Sequence, residues 1–327
     1  MKVGLGPIRH RDAEGQAAMI DPQELYEFTR ERPAWQGTLR PVLVHLLEGF
    51  VDAGAAGRLA ARHLLDRCDP QPLARFDPDR LYDYRSRRPV MTFDEDHWVD
   101  YAVPELTLYE LRDATGTPFL LLHGFEPDYA WEACTAAVRR IVEQLDVRLV
   151  VGANAIPMAV PHTRPLGVSA HATRAELVAE RRPWIGKVQV PGHLAGLLEF
   201  RLGEHGHDAA GFAVHVPHYL TQTEYPSAAV VVVDALARAA GLALSVEELR
   251  ASALVADASV EEQVTRQPEV AGLISALEQQ YDAFVGAQTR GPLPMGESDR
   301  LPDAEELGAQ FEQFLAEENE RRATGDG

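Results

Sequence analysis

The sequence predicts an α/β fold, a three-layer sandwich with a mostly parallel central sheet flanked by helices, plus an all-helical C-terminal extension. Three short, mostly apolar runs have the length and composition of strands buried on both faces: Val42–Leu47, Phe119–His123 and Arg148–Val151. An amphipathic pattern over Pro127–Leu145 predicts a helix between the second and third runs. Short links between such elements are typical of right-handed crossovers. We therefore expect the three runs to lie side by side and to point the same way.

Composition and charge restrict the class of protein. The 327 residues can form one large domain or two smaller ones, and the net charge of −19 argues against nucleic acid and anionic membrane surfaces as partners. No apolar run approaches the roughly 20 residues that span a bilayer, and Met1–His10 has no leader-like apolar segment. Cys68 and Cys134 fit no metal-binding spacing and are typical of buried thiols in a reducing compartment. We expect a cytoplasmic protein without a cofactor.

The N-terminal residues 1–36 are predicted to form an arm packed on the core. Within it, Asp21–Arg32 has the pattern of a short helix that Pro33 ends. Its contacts would be Leu25, Tyr26 and Phe28.

The first strand–helix unit starts at Val42–Leu47. Gly49 allows the chain to leave the strand sharply, and Asp52 can cap the helix that contains Arg58–Leu65. Gly54 and Gly57 would let this helix pack closely on the strand.

A basic segment follows the first unit. Ala74–Tyr84, broken by Pro78, predicts two short extended pieces, and Tyr84–Met91 then carries Arg85, Arg87 and Arg88. These arginines could form a solvated or ion-paired loop, or an anion site, because guanidinium groups suit carboxylate and phosphate. The acidic run Phe93–Trp98 lies close in sequence and favours ion pairing.

The rest of the core is predicted from shorter signals. Further strands are expected at Leu106–Leu111, before a turn at Gly116, and at Lys187–Val190 and Gly211–Val216; helices are expected at Gly192–Leu202 and Ser227–Ala240. Val230–Val233 alone suggests a strand, but the alanines around it and Gly241 as a stop favour a buried helix. Ala153–Thr173, rich in Pro and Gly, is expected to be a long loop over the carboxyl edge of the sheet.

Only helices are expected from Ser245 onward. Ser245 with Glu248 and Ser259 with Glu262 each fit a capping box. Gly291–Arg300 is predicted as a linker before a last acidic helix, whose apolar stripe contains Leu307, Phe311, Phe314 and Leu315. The predicted divisions are the arm at 1–36, the α/β core at 37–243, a helical extension packed on the core at 244–290, and the linker with the last helix at 291–327.

Polar side chains cluster where the predicted strands end. The set consists of Glu48, Asp52, His123, Glu126, Asn154, His162, Arg164, His193 and Tyr219. Ligands bind at the carboxyl edge of open α/β sheets, so these residues predict a cleft. Caps and turns alone would also place many of them there.

Three catalytic or ligand-binding motifs are imperfect. Gly49–Gly54 has the glycine spacing of a phosphate loop, but Ala55 and Ala56 stand where Lys and Ser/Thr are needed, and Asp52 puts a negative charge at the phosphate position. His123-Gly124 is typical of an oxyanion loop, and Gly167–His171 only partly matches a nucleophile elbow around Ser169. The histidines between residues 193 and 218 lack a metal-binding motif. We assign no catalytic residue and no metal.

Several stretches, in order, carry a family resemblance. They are Glu48–Gly57 (EGFVDAGAAG), Tyr84–Pro89 (YRSRRP), Leu121–Phe125 (LLHGF), Val151–Asn154 (VGAN), Gly192–Leu198 (GHLAGLL), Val216–Tyr219 (VPHY) and Tyr225–Ala229 (YPSAA). Together they cover roughly Gly37–Gly286, and in them the chain resembles the proteasome assembly chaperone 2 family, in its actinobacterial branch.

The resemblance implies a phosphorylase-like α/β fold and self-association, a trimer being one form. It also implies chaperone-like binding of another protein, since such chaperones hold proteasome α-subunits during ring assembly. Members that dock on the α-ring often end in a hydrophobic residue, a Tyr and one more residue, whereas this chain ends Thr324-Gly-Asp-Gly327. The hypothesis is a non-enzymatic, assembly-chaperone-like interaction protein; the alternative is a small-molecule-binding or hydrolytic enzyme of nucleoside-phosphorylase-like fold.

Overall fold

The computed structural model describes residues 20–31, 33, 40–179 and 187–289, with side chains to residue 286. The chain divides into two units, Met1–Glu278 and Gln279–Gly327, and only the end of one helix is described in the second. The predicted linker and last acidic helix, and most of the predicted arm, lie outside the described residues. The domain boundaries at residues 36, 243 and 290 stay predictions.

The described residues contain ten strands and seven α-helices, besides four short 3₁₀ helices and the loops. The strands are β1 Tyr26–Phe28, β2 Val42–Glu48, β3 Gln71–Phe76, β4 Met91–Asp94, β5 His97–Tyr101, β6 Leu106–Arg112, β7 Pro118–Phe125, β8 Leu149–Met158, β9 Val168–Ala172 and β10 Ala209–Pro217. The helices are α1 Ala56–Arg67, α2 Pro78–Leu81, α3 Trp131–Gln144, α4 Leu194–Glu204, α5 Pro226–Ala240, α6 Glu247–Thr265 and α7 Pro268–Thr289.

Eight strands form one sheet in the order β1-β3-β6-β7-β2-β8-β10-β9. The strand β2 lies between β7 and β8 and is parallel to both, with Val44 opposite Leu121 on one side and Val151 on the other. The three apolar runs therefore lie side by side and point the same way, and the predicted α/β fold class is confirmed. Within the described sheet, β7, β2, β8 and β10 pair in parallel and the flanking pairs are antiparallel. The tight turn that joins β6 and β7 forces their antiparallel pairing.

Helices cover the parallel strands on both faces. Val44 and Val151 point towards α1 and α5, where they pack with Leu64 and Leu236 in one buried cluster. The alternate residues, such as Leu43, pack against α3 and α4 in a second cluster. Because successive side chains of a strand face opposite ways, a strand between two helical layers must be apolar on both faces.

Two predicted elements near the N-terminus are wrong in type. The segment predicted as a helix over Asp21–Arg32 is a 3₁₀ turn, Pro22–Leu25, followed by β1, because pairing with β3 extends the chain. The second extended piece predicted within Ala74–Tyr84 is the short helix α2. Pro78 suits the first position of that helix, and the Asp77 carboxylate accepts a hydrogen bond from the Asp79 amide at 3.0 Å.

The long loop predicted over Ala153–Thr173 is shorter than expected. The strand β8 continues to Met158, because β10 pairs with it over nine positions, and Val168–Ala172 adds β9 on the far side of β10. Lys187–Val190, predicted as a strand, is exposed coil, since its alternating valines find no strand to pair with in the described part of the chain.

The helix starts from Ser245 onward differ from the predicted capping boxes. The helix α6 begins at Glu247 without a side-chain cap, and the carbonyl of Ser245 instead lies 2.7 Å from His63 Nε2. Ser259 lies inside α6 and caps nothing. The predicted buried helix over Ser227–Ala240 is confirmed as α5, and Gly241 ends it with a φ of +67°.

Candidate functional site at the carboxyl edge of the sheet

Asp52 holds the turn between β2 and α1. Its carboxylate accepts hydrogen bonds from the Gly57 amide at 2.7 Å and the Arg58 amide at 3.0 Å, so it caps the first turn of α1 from three residues before the N-cap position, which is Ala55. Burial raises the pKa of Asp52, and the two amide hydrogen bonds oppose that rise. The carboxylate thus occupies the place where a phosphate would meet the helix N-terminus.

Glu48 and His123 lie together at the ends of β2 and β7. His123 Nδ1 donates a hydrogen bond to the Leu46 carbonyl at 2.8 Å, and His123 Nε2 lies 3.5 Å from Glu48 Oε1. The parallel register sets Leu46 opposite His123, so the ring reaches across to the neighbouring strand. Both side chains are partly buried on the sheet face that α1 covers.

A cleft of about 340 Å³ joins Glu48 and Asp52 to the basic segment. Glu48, Asp52, Arg58 and Arg87 line it, together with Phe125. Two carboxylates and two guanidinium groups therefore converge on one small polar cavity that can hold a ligand with both signs of charge.

Arg87 enters this cleft from the loop that precedes β4. Its guanidinium carbon lies 4.7 Å from the centroid of the Phe125 ring, and Nη2 lies 3.5 Å from Asp128. The acidic run Phe93–Trp98 does not supply its partner. Arg85 and Arg88 are exposed and do not line the cleft.

Glu126 and His193 both act at the start of α4. Glu126 Oε1 accepts a hydrogen bond from the Leu194 amide at 2.6 Å, and its Oε2 accepts one from the Phe50 amide at 3.3 Å. His193 Nδ1 accepts a hydrogen bond from the Gly196 amide at 3.1 Å. Burial lowers the pKa of His193, and the Glu126 charge opposes this. A neutral cap and a carboxylate both stabilise a helix N-terminus.

The other predicted site residues lie in two further places. Asn154 Nδ2 donates to the Val51 carbonyl at 3.5 Å, beside the turn after β2. The Tyr219 hydroxyl accepts a hydrogen bond from the His162 amide at 2.8 Å, and Arg164 donates to Glu278 of α7 at 3.0 Å. None of these four side chains lines the 340 Å³ cleft, so the structure divides the predicted set into separate groups.

Two histidines under α4 were not among the predicted cleft residues, although His171 ends the partial nucleophile-elbow match. His45 is buried within β2, where burial and the nearby His193 and His171 lower its pKa to about 4. His171 Nδ1 lies 2.8 Å from Glu199 Oε2, and this hydrogen bond raises the pKa of His171. A polar residue inside an apolar run, as in Val42–Leu47, was the available signal.

Ser169, predicted as a poor nucleophile-elbow match, lies on β9 rather than on a strand–turn–helix. Its Oγ lies 2.8 Å from Nε2 of His215, which is buried on β10. Burial lowers the pKa of His215 to about 4, so the ring is neutral near pH 7.

Two negative findings hold for the described residues. They contain no group of three or more His, Cys, Asp or Glu side chains arranged to hold a metal ion. None of the helices there has the length and apolar character needed to cross a membrane.

Comparison with known proteins gives one family. The sequence profile of the PAC2 family matches residues 46–264. No protein of curated function matches the sequence significantly.

Several solved structures are similar to the chain. A Mycobacterium tuberculosis protein of unknown function is 48% identical with a TM-score of 0.78, covering 86% of this chain and 95% of that one. A Corynebacterium glutamicum protein of unknown function is 35% identical with a TM-score of 0.76, covering 80% and 98%. A proteasome-assembly chaperone homologue from Mycobacterium tuberculosis is 25% identical with a TM-score of 0.67, covering 71% and 99%.

Proposed function

Because the chain belongs to the PAC2 family, we propose that it is a non-enzymatic, assembly-chaperone-like protein that binds other protein subunits and copies of itself. The observation that carries the proposal is the similarity to the solved proteasome-assembly chaperone homologue over 99% of that chain. Fold similarity alone does not fix function, so surface features must supply the binding site.

An exposed hairpin supports binding to a second copy. Among the described strands, β4 and β5 pair only with each other, and every one of their residues is exposed. Phe93 and Trp98 are 55% and 62% exposed, and their ring centroids lie 5.0 Å apart. Contiguous apolar surface of this kind marks interaction sites, and a lone hairpin is only marginally stable in water.

The hairpin tip and the loop before it carry opposite charges, so the tip of one copy is complementary to the loop of another. Its tip carries Asp94, Glu95 and Asp96, while Arg85 and Arg88 stand exposed in the loop that precedes it. Within the described residues, neither arginine forms an ion pair with that tip. The acidic tip of one copy can therefore meet the basic loop of the next, which favours a closed homo-oligomer such as a trimer.

Mixing with a proteasome α-subunit tests the chaperone proposal. We expect the full chain and the purified α-subunit from the same genome to form a complex whose mass, measured by light scattering, exceeds that of either protein alone. Two species that elute at their separate masses over a range of salt concentrations would contradict the proposal.

A small-molecule-binding or hydrolytic function is the second candidate, and two observations favour it. Glu48, Asp52 and Arg87 converge on one cleft, and Ser169 lies within hydrogen-bonding distance of His215. A rise in melting temperature with nucleosides or phosphate, or labelling of Ser169 by a fluorophosphonate, would support it. If neither occurs, the enzyme candidate is contradicted.

The resemblance to the actinobacterial branch of the family also supports a phosphorylase-related core and a cytoplasmic location. Cys68 and Cys134 are both buried free thiols, as a reducing compartment would leave them. Cell fractionation with an antibody to the chain tests the location.

A further inference from the structure

The 340 Å³ cleft lies where the chain leaves two neighbouring parallel strands towards opposite faces of the sheet. After β2 the chain passes to α1, which packs on one face, and after β7 it passes to α3, which packs on the other. A crevice opens between two such connections at the carboxyl ends of the strands, and open α/β sheets bind ligands there. Glu48, Asp52 and Phe125 line the cleft from both connections. Its position therefore indicates a ligand site independently of its charges.

The Glu48 carboxylate is an acceptor that lacks a donor. Its side chain is 27% exposed, and its Oε1 lies 3.5 Å from His123 Nε2. His123 Nδ1 donates to the Leu46 carbonyl, so in the neutral ring Nε2 carries no proton and faces the carboxylate with a lone pair. Within the described residues, no hydrogen bond is donated to the Glu48 side chain. A donor with positive charge would complete this side of the cleft.

The Arg87 guanidinium is a donor whose capacity is largely unused. Its side chain is 35% exposed, and Nη2 lies 3.5 Å from Asp128, at the limit of a hydrogen bond. Its Nη1 is shielded from solvent and has no hydrogen-bond partner among the residues that the structure describes. Buried polar groups are rarely left unpaired, so this exception calls for an explanation. A guanidinium group in this state is suited to a carboxylate, which it binds through two parallel hydrogen bonds.

The other two charged residues of the cleft already have partners. The two oxygens of Asp52 accept the amide hydrogen bonds at the start of α1, and Arg58 Nη2 donates to Glu224 at 2.9 Å. Glu48 and Arg87 form no ion pair with each other in the described part of the chain. The cleft therefore presents an acceptor without a donor and a donor without an acceptor, at separate places on its wall.

A ligand with a single charge fits these surroundings poorly. A phosphate that approaches Arg87 meets the negative charges of Glu48 and Asp52, and an amine that approaches Glu48 meets the guanidinium groups of Arg58 and Arg87. A small zwitterion is attracted by both signs of charge. In a cleft of about 340 Å³ its two charges must lie close together, as the ammonium and carboxylate groups of an α-amino acid do.

We propose that the 340 Å³ cleft binds a free α-amino acid. The ammonium group pairs with the Glu48 carboxylate, and the carboxylate group pairs with the Arg87 guanidinium. The proposal rests on the second candidate function, small-molecule binding, and names the class of ligand. It needs no catalytic step, and it does not depend on the chaperone function.

Thermal-shift measurements on the full chain, with the standard L-amino acids added one at a time, identify the ligand. Calorimetric titration then gives the Kd of the amino acid that raises the melting temperature most. Its N-acetyl derivative keeps only the carboxylate charge, and its carboxamide derivative keeps only the ammonium charge. We expect each derivative to bind at least tenfold more weakly than the amino acid. Equal affinity for the amino acid and for either derivative overturns the proposal.

Variants place the binding in the cleft. Glu48→Gln and Arg87→Gln each remove one of the two charges with little change in size and should each weaken binding at least tenfold. The matched controls Glu176→Gln and Arg250→Gln remove the same charges from exposed positions outside the cleft and should leave the Kd unchanged. The same Kd in the cleft variants and in the controls overturns the proposal.

The same screen separates this proposal from the broader function on which it rests. Nucleosides and phosphate are measured beside the amino acids. Stabilisation by a nucleoside or by phosphate, and by no amino acid, overturns the proposal and leaves small-molecule binding standing. No stabilisation by any of these compounds overturns the proposal and, if Ser169 is also not labelled by a fluorophosphonate, contradicts the second candidate function with it.

Discussion

The imidazole ring of His45 lies against Gly152 of the neighbouring strand, in the space that a Cβ atom at position 152 would need. The ring of His171 lies against Gly211 in the same way. The four residues are in register across β2, β8, β10 and β9. Two adjacent glycines therefore leave a depression in the sheet, which two imidazole rings fill from opposite sides.

Replacing Gly152 by Ala should destabilise the protein. The new methyl group would overlap the His45 ring, and overpacking of a core typically costs about 1–3 kcal/mol. Urea denaturation at pH 7.5 should show this loss in the free energy of unfolding. The matched control Gly272→Ala, on the helix α7 with open space around it, should be neutral or slightly stabilising. A Gly152→Ala variant as stable as wild type would show that the ring has room to move.

Acid should weaken the fold before its carboxylates titrate. Burial lowers the pKa of His45 and of His215 to about 4, below the ordinary value near 6.5. The unfolded chain therefore binds protons that the folded chain refuses between pH 6.5 and 4. The contribution of the two neutral histidines to the free energy of unfolding is therefore fully present above pH 6.5 and is lost as the pH falls towards 4. We expect a loss of about 1–3 kcal/mol per histidine over that range.

Single variants assign this pH dependence. His45→Asn should flatten the curve of unfolding free energy against pH between 6.5 and 4, because the variant lacks an imidazole that binds a proton in the unfolded chain but not in the folded chain. His97→Asn, on the exposed strand β5, is the control and should leave the curve unchanged. His171 acts in the opposite sense: Glu199 raises its pKa, so its contribution is present below pH 6.5 and is lost as the pH rises through the raised pKa. Identical slopes for wild type and His45→Asn would refute the assignment.

The hairpin should control self-association. In the Phe93→Ser/Trp98→Ser variant the apolar face of β4 and β5 is removed, and we expect the native mass from light scattering to fall to that of a single chain. Leu254→Ser/Val255→Ser is the matched control, since both side chains are exposed on α6 at 74% and 73%. It should keep the wild-type mass. An oligomer that survives the hairpin variant would place the interface elsewhere.

The central strands were predictable because burial on both faces requires a continuous apolar run, which the local sequence shows. Val44, Leu121 and Val151 each stand in a run that can form a strand only between two helical layers. The segment Val168–Ala172 shows no such pattern, and it forms the strand β9 because it pairs with the edge of β10. A local sequence pattern does not predict pairing between segments that are distant in the chain.

The candidate site was predictable only in part, for the same reason. The rule for strand ends located Glu48 and His123, which the parallel register brings close together, and Asp52, which lines a cleft with Glu48. The arrival of Arg87 in their cleft depends on the packing of a distant loop on Phe125, which sequence spacing does not record. His45 was missed although it is the polar residue within the apolar run Val42–Leu47, because the strand prediction treated the whole run as apolar.

The Asp52 cap gives the last prediction. Asp52→Ala removes the acceptor of two amide hydrogen bonds at the start of α1 and should lower the free energy of unfolding by about 1–2 kcal/mol. Asp52→Asn should cost less, since its amide oxygen still accepts one of the two hydrogen bonds and the variant does not bury a charge; that burial is what raises the pKa of Asp52. Urea denaturation at pH 7 measures both variants. Equal losses for Ala and Asn would mean that the charge stabilises the turn more than its burial costs, and an Ala variant as stable as wild type would contradict the cap itself.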